Sequence, residues 1–163
     1  MNMDRRRLFG ASAAGVAGAL AISPDAARAA PPASAFGRDV TQYGVRPGSP
    51  DDQTKSLQRA IDEAARAQVP LALPPGVYRT GMLRLGSGTQ LVGVRGATKL
   101  VFTGGASMLQ GEGANSIGLT GLTLDGGGIA LPQRRGLVHC LGGRDVRIAD
   151  CEIVASGGNG VWL

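Results

Sequence analysis

The sequence predicts an all-β chain, a right-handed parallel β-helix with an N-terminal capping α-helix. Three observations carry that prediction. Gly makes up 27 of the 163 residues without any Gly-X-Y period, which excludes collagen and calls for many tight turns between short strands. After one amphipathic stretch, the apolar pattern changes to brief runs bounded by Gly. Laying 116–124 over 145–153 aligns every apolar residue at a shift of 29: Ile117 with Val146, Leu119 with Ile148, Leu122 with Cys151 and Leu124 with Ile153. Short strands repeating at such a period are the mark of stacked coils, whose inward slots each accept one apolar side chain after another.

The chain begins as an address. Arg5, Arg6 and Arg7 precede an uncharged apolar stretch from Ala11 to Ile22 and then Ala27-Arg28-Ala29, the three parts of a secretory signal cleaved before Ala30. The stretch is too short for a spanning helix, which needs roughly 20 apolar residues. Removing 1–29 takes away four Arg and two Asp, so the formal charge falls from +5 to +3. The remaining basic residues are scattered apart from Arg134-Arg135, which excludes a nucleic-acid footprint. A hydrophobic content of 43% excludes a disordered chain, and two Cys exclude a disulfide-stapled one. Residues 30–37 read as a linker.

From there the elements follow in order. Asp39–Tyr43 reads as a brief strand closed by Gly44. Asp51 or Asp52 then caps a helix over 53–67, in which Leu57, Ala60, Ile61 and Ala64 share one face and Pro70 lies beyond the end. Its small apolar face suits a cover for the open end of a stack of coils. Leu71–Leu73, Val77-Tyr78, Met82–Leu85, Gln90–Val92, Lys99–Phe102 and Ser107–Leu109 follow as strands. Ala130–Gly136 is a loop pushed out between two later ones. The remaining length supplies about three coils, and Gly157–Leu163 stops in mid-strand. The expectation is therefore that 38–163 is the cap and first coils of a C-terminally truncated β-helix.

The motifs Tyr43-Gly44-Val45, Asp51-Asp52-Gln53-Thr54, Ala60-Ile61-Asp62-Glu63-Ala64, Pro74-Pro75-Gly76-Val77-Tyr78 and Leu91-Val92-Gly93, in that order, resemble the opening of pectate-lyase-like right-handed parallel β-helix proteins. Arg5-Arg6 with Leu8-Phe9 resembles the twin-arginine motif, with Asp4 where Ser or Thr is usual and the apolar pair inverted. Together they resemble a family of uncharacterised twin-arginine-translocated repeat proteins. The resemblance implies a partner, the twin-arginine translocase read through Arg5 and Arg6, and a periplasmic or secreted location after cleavage. It also implies folding in the reducing cytoplasm, so Cys140 and Cys151, both on inward slots, are expected as free thiols.

Candidate chemistry is sparse. With Cys151 and Ile153 inward, Asp150 and Glu152 would point outward from one strand, roughly 6.5–7 Å apart. That is a spacing at which inverting glycosidases hold an acid and a base, and equally that of a solvated strand face. Arg134 and Arg135, at the top of the inserted loop, are candidate contacts for an anionic sugar polymer. His139 is the only His and is expected to face solvent, and no metal-ligand spacing or cofactor motif is present. Two functions remain open: an exported protein that binds or processes polysaccharide, as a lyase or glycoside hydrolase if it is an enzyme, and a non-catalytic structural or envelope β-helix protein.

Overall fold

The computed structural model describes residues 37–163. The leader, Arg5 and Arg6 and most of the linker lie outside the described residues. The described chain is mostly β, with three all-parallel sheets and one helix. It begins with β1 (Arg38–Asp39), a 3-10 turn (Val40–Tyr43) and α1 (Thr54–Arg66). Four triplets of strands follow: β2 (Leu71–Ala72), β3 (Gly76–Thr80) and β4 (Leu83–Arg84); β5 (Gln90–Val92), β6 (Thr98–Phe102) and β7 (Leu109–Glu112); β8 (Ile117–Thr120), β9 (Thr123–Asp125) and β10 (Gly136–Leu141); β11 (Val146–Ala149), β12 (Glu152–Val154) and β13 (Asn159–Trp162). Each triplet visits the sheets in the same order. The first sheet runs β1-β2-β5-β8-β11, the second β3-β6-β9-β12 and the third β4-β7-β10-β13.

Register explains why these sequences stack. Leu71, Leu91, Leu119 and Ile148 pair across the first sheet, and Tyr78, Leu100, Leu124 and Ile153 across the second. In the third sheet Leu83, Leu109, Val138 and Val161 do the same. Except for the members contributed by β11, β12 and β13, all of these side chains are buried in one continuous core. Alternation along each strand sends their neighbours to the opposite face. The shift of 29 appears directly in the register, Ile117 on Val146, Leu119 on Ile148 and Leu124 on Ile153.

α1 buries Leu57, Ala60, Ile61 and Ala64 and packs against β2, β3 and β4. Its start is capped from one position further out than usual, since the Asp52 carboxylate accepts the Thr54 amide at 3.0 Å. Gln58 on this helix donates to the Arg84 carbonyl (2.9 Å) and accepts from the Arg84 amide (2.8 Å). One side chain thus pairs with the free edge of β4 as a neighbouring strand would.

Two expectations need correction. Asp39–Tyr43 is not a strand beyond its first residue. The Asp39 carboxylate accepts both the amide (2.8 Å) and the hydroxyl (2.6 Å) of Thr41, a local bond that turns the backbone into the 3-10 conformation. The count of about three coils is also low. Strands of two to six residues let four triplets fit.

Candidate functional site

The outward face of the third sheet gathers the polar groups that the sequence leaves dispersed. Opposite the inward row Leu83–Leu109–Val138–Val161, the next residues of the same strands form the ladder Arg84, Gln110, His139, Trp162. Glu112 and Leu141 make a second rung pair. The loop between β9 and β10 brings Arg135 to the same face, where its guanidinium lies 3.3 Å from the Glu112 carboxylate. Gln110 donates a 2.6 Å hydrogen bond to that same carboxylate oxygen. Arg84, Leu85, Gln110 and Glu112 line a groove of about 320 Å³.

His139 is the centre of this face. Alternation directs it outward as expected, but it is not the solvent-facing residue predicted. Only 1% of it is exposed, flanked in register by Gln110 on β7 and Trp162 on β13. Its Nδ1 is buried without a hydrogen-bond partner, the one such side-chain atom among the described residues. Burial holds the imidazole below the ordinary His range, the Arg135 charge adds to that, and Glu112 opposes it. Glu112 is held below the usual carboxylate range by the Gln110 hydrogen bond and by Arg135.

The expected carboxylate pair is taken apart by a corner. β11 ends at Ala149, and Asp150 sits at φ 53, in the left-handed region that turns the chain out of the first sheet. Glu152 begins β12 in the second sheet, so the two do not project from one strand. Asp150 is exposed and lies 4.0 Å from the exposed Arg95, a surface pair of little energetic weight. The Glu152 carboxylate accepts from the Thr123 hydroxyl at 3.5 Å. Of the two candidate arginines, Arg134 is exposed at φ 57 on the loop, while Arg135 is half-buried and joins the His139 face. Among the described residues no three His, Cys, Asp or Glu are close enough to hold a metal ion.

Gln110, Glu112, Arg84 and Trp162 were not among the sequence candidates. Extending the shift of 29 back one strand would have stacked Leu109 on Val138 and Gln110 on His139. Trp162 carried no such signal. It reaches His139 at a shorter spacing, Gly136 on Asn159, because the fourth triplet lacks the inserted loop.

Cys140 and Cys151 are both unpaired with each other. Cys140 stacks on Gly111, whose missing Cβ leaves the sulfur room, and burial pushes its thiol up. Cys151 is partly exposed and donates to the Leu119 carbonyl at 3.5 Å. A thiol reagent at neutral pH should therefore label Cys151 first and Cys140 only on unfolding. Equal native rates would contradict this packing.

No protein-family model matches the chain, and no curated protein matches it. Solved structures do. The A-module of mannuronan C-5 epimerase AlgE4 from Azotobacter vinelandii superposes with a TM-score of 0.65 at 24% identity, over 76% of this chain and 40% of that one. The A-module of AlgE6 from the same organism gives 0.63 at 24% identity, over 74% and 38%. A candidate glycosyl hydrolase from Parabacteroides merdae gives 0.59 at 19% identity, over 76% and 79%. The chain thus spans about 40% of the length of the epimerase modules it resembles. At these identities the likeness is one of fold, and it assigns the three parallel sheets to a β-helix-like architecture.

Proposed function

We propose that this chain belongs to an exported, carbohydrate-active right-handed parallel β-helix that binds and processes a polysaccharide along the outer face of its third sheet. The reading of 1–29 as a twin-arginine signal, with Arg5 and Arg6 as its recognition pair, supplies the export step of this proposal. α1 serves as the N-terminal cap of the solenoid. The observation that carries the site is His139, buried with an unpartnered Nδ1 in the ladder Arg84–Gln110–His139–Trp162. A buried polar atom without a partner costs about 1–3 kcal/mol. Such an atom on a polar face calls for a partner, which a water or a bound group can supply, and this reading gives the place to a bound group. The polysaccharide named for two of the fold neighbours, mannuronan, supports a sugar polymer as that group.

The surroundings suit a glycan. Trp162 presents an apolar ring with a polar N–H, and Arg84, Gln110, Glu112 and Arg135 supply donors and acceptors. The test is a panel of acidic and neutral polysaccharides, scored for retention in affinity electrophoresis and for new reducing ends, unsaturated products or altered sugar configuration. Trp162→Ala and Gln110→Ala should each weaken retention about tenfold, equivalent to about 1.4 kcal/mol. Asp150→Asn with Glu152→Gln should leave it unchanged, since neither lies on the third sheet. Retention lost in that double variant but kept in the third-sheet variants would move the site to the β11–β12 corner. No retention of any glycan would favour a structural role.

A further inference from the structure

The face around His139 holds three ionisable groups in an unequal contest. At neutral pH the imidazole is uncharged, Glu112 is a carboxylate and Arg135 a guanidinium, and the last two pair at 3.3 Å. Glu112 and Arg135 join the imidazole through the ladder: Gln110, its register partner on β7, donates to Glu112 at 2.6 Å, Arg135 meets that carboxylate from the segment before β10, and both charges bear on the imidazole. β13 contributes Asn159, Gly160, Val161 and Trp162, none of them ionisable, and Arg84 on β4 stands one rung beyond the neutral Gln110.

We propose that His139, Glu112 and Arg135 form an acid-operated latch: a solvent proton taken up by the imidazole draws Glu112 to it, breaks the Glu112–Arg135 ion pair and swings Arg135 off the face. The proton enters from water, no heavy-atom bond changes, and the trio goes from net zero to net +1. The proposal rests on the reading of this face as the ligand groove for its biological consequence, since Glu112 lines that groove, but the trigger operates without ligand.

Once the imidazole is protonated, one carboxylate faces two cations. Glu112 stays ionised through the step because Gln110 and Arg135 hold it below the usual carboxylate range. Once the pH falls below the depressed His139 value, protonated His139 and Arg135 repel each other and compete for Glu112. His139 is fixed in the middle of a six-residue strand between two neighbours. Arg135 is a half-exposed side chain on a long stem in a loop. The mobile cation is the one that leaves.

A His whose folded value is depressed lets the unfolded chain take its proton first as pH falls. His139 therefore contributes nothing to the pH dependence of stability above 6.5, and stability declines as pH falls from 6.5 toward the lower folded value.

The experiment uses the full chain, in which His139 is the only His and Trp162 the only Trp. NMR reads the imidazole and the Arg135 Nε–Hε signal, and fluorescence reads Trp162, as pH is lowered from above 6.5 until the imidazole has titrated. All three should move together at a midpoint below 6.5, with loss of the ion-paired Arg135 signal. In His139→Gln the Arg135 and Trp162 changes should vanish. Arg135→Gln, which removes the opposing cation and leaves β10 intact, should raise the imidazole midpoint. It keeps the test decisive if His139→Gln does not fold. An Arg135 signal unmoved while His139 titrates, the same transition persisting in His139→Gln, or an unchanged midpoint in Arg135→Gln would each overturn the latch. None of these outcomes depends on glycan binding, so a failed latch and a failed carbohydrate reading are told apart.

Discussion

Leu119→Ala should lower the unfolding free energy by about 3–5 kcal/mol, enough to remove a large part of a domain's usual stability of about 5–15 kcal/mol. Leu119 has none of its surface exposed and sits in the first sheet between Leu91 and Ile148. Because both neighbours in the row are themselves fixed by register, the gap left by a truncated side chain cannot close by collapse. Ile148→Ala removes a similar side chain from the next strand of the same row, where it is only partly buried. Area alone gives it roughly 1–2 kcal/mol. Urea titration of the two variants measures the contrast, and equal losses would mean that the row is not a stacked inward ladder.

That row is also where the sequence is most legible. A slot that holds Leu in one coil and Ile or Cys in the next leaves a mark that survives in a single chain, and the register pairs Ile117 on Val146 and Leu124 on Ile153 repeat it. The helix was readable for a similar reason, since Leu57, Ala60, Ile61 and Ala64 recur at its period and all four are buried. The candidate site was less readable because outward residues obey no such constraint. Arg84, Gln110, His139 and Trp162 share a ladder without sharing a chemical type. Alternation gave the direction of His139 but not its burial, which depends on what stands beside it on strands far away in sequence. Arg135 was placed on the inserted loop from sequence. Its partner, Glu112, is on a strand of the preceding triplet.

The corner at Asp150 had a visible warning. In the same shift of 29, Asp150 falls on Gly121, and Gly in a strand pattern marks a bend or a close backbone approach. Both residues adopt the left-handed conformation, Gly121 at φ 68 and Asp150 at φ 53, and Asp is among the few non-Gly residues that do so with modest cost. The slot is a corner between the first and second sheets, so Asp150 and Glu152 do not belong to one strand.

The corner supplies the second large effect. Gly121→Ala is expected to cost about 2–5 kcal/mol, as the sum of two separable parts. The left-handed conformation itself costs a residue with a Cβ about 1–2 kcal/mol. The added methyl would also stand 2.6 Å from the Gly93 carbonyl oxygen and 3.3 Å from the Arg95 amide nitrogen, backbone atoms of the coil before it. Relieving that overlap means spreading two coils, at about 1–3 kcal/mol for a small-to-large change in packed surroundings. Gly113→Ala isolates the first part: Gly113 has φ 64, and a Cβ there meets nothing within 4 Å. Asp150→Gly, in the same slot one coil later, should be neutral or stabilising by up to about 1 kcal/mol. Thermal and urea midpoints of the three variants should then rank Asp150→Gly above Gly113→Ala above Gly121→Ala. If Gly121→Ala falls no further than Gly113→Ala, the coils do not approach at this corner as closely as the stacking of Gly121 on Gly93 requires.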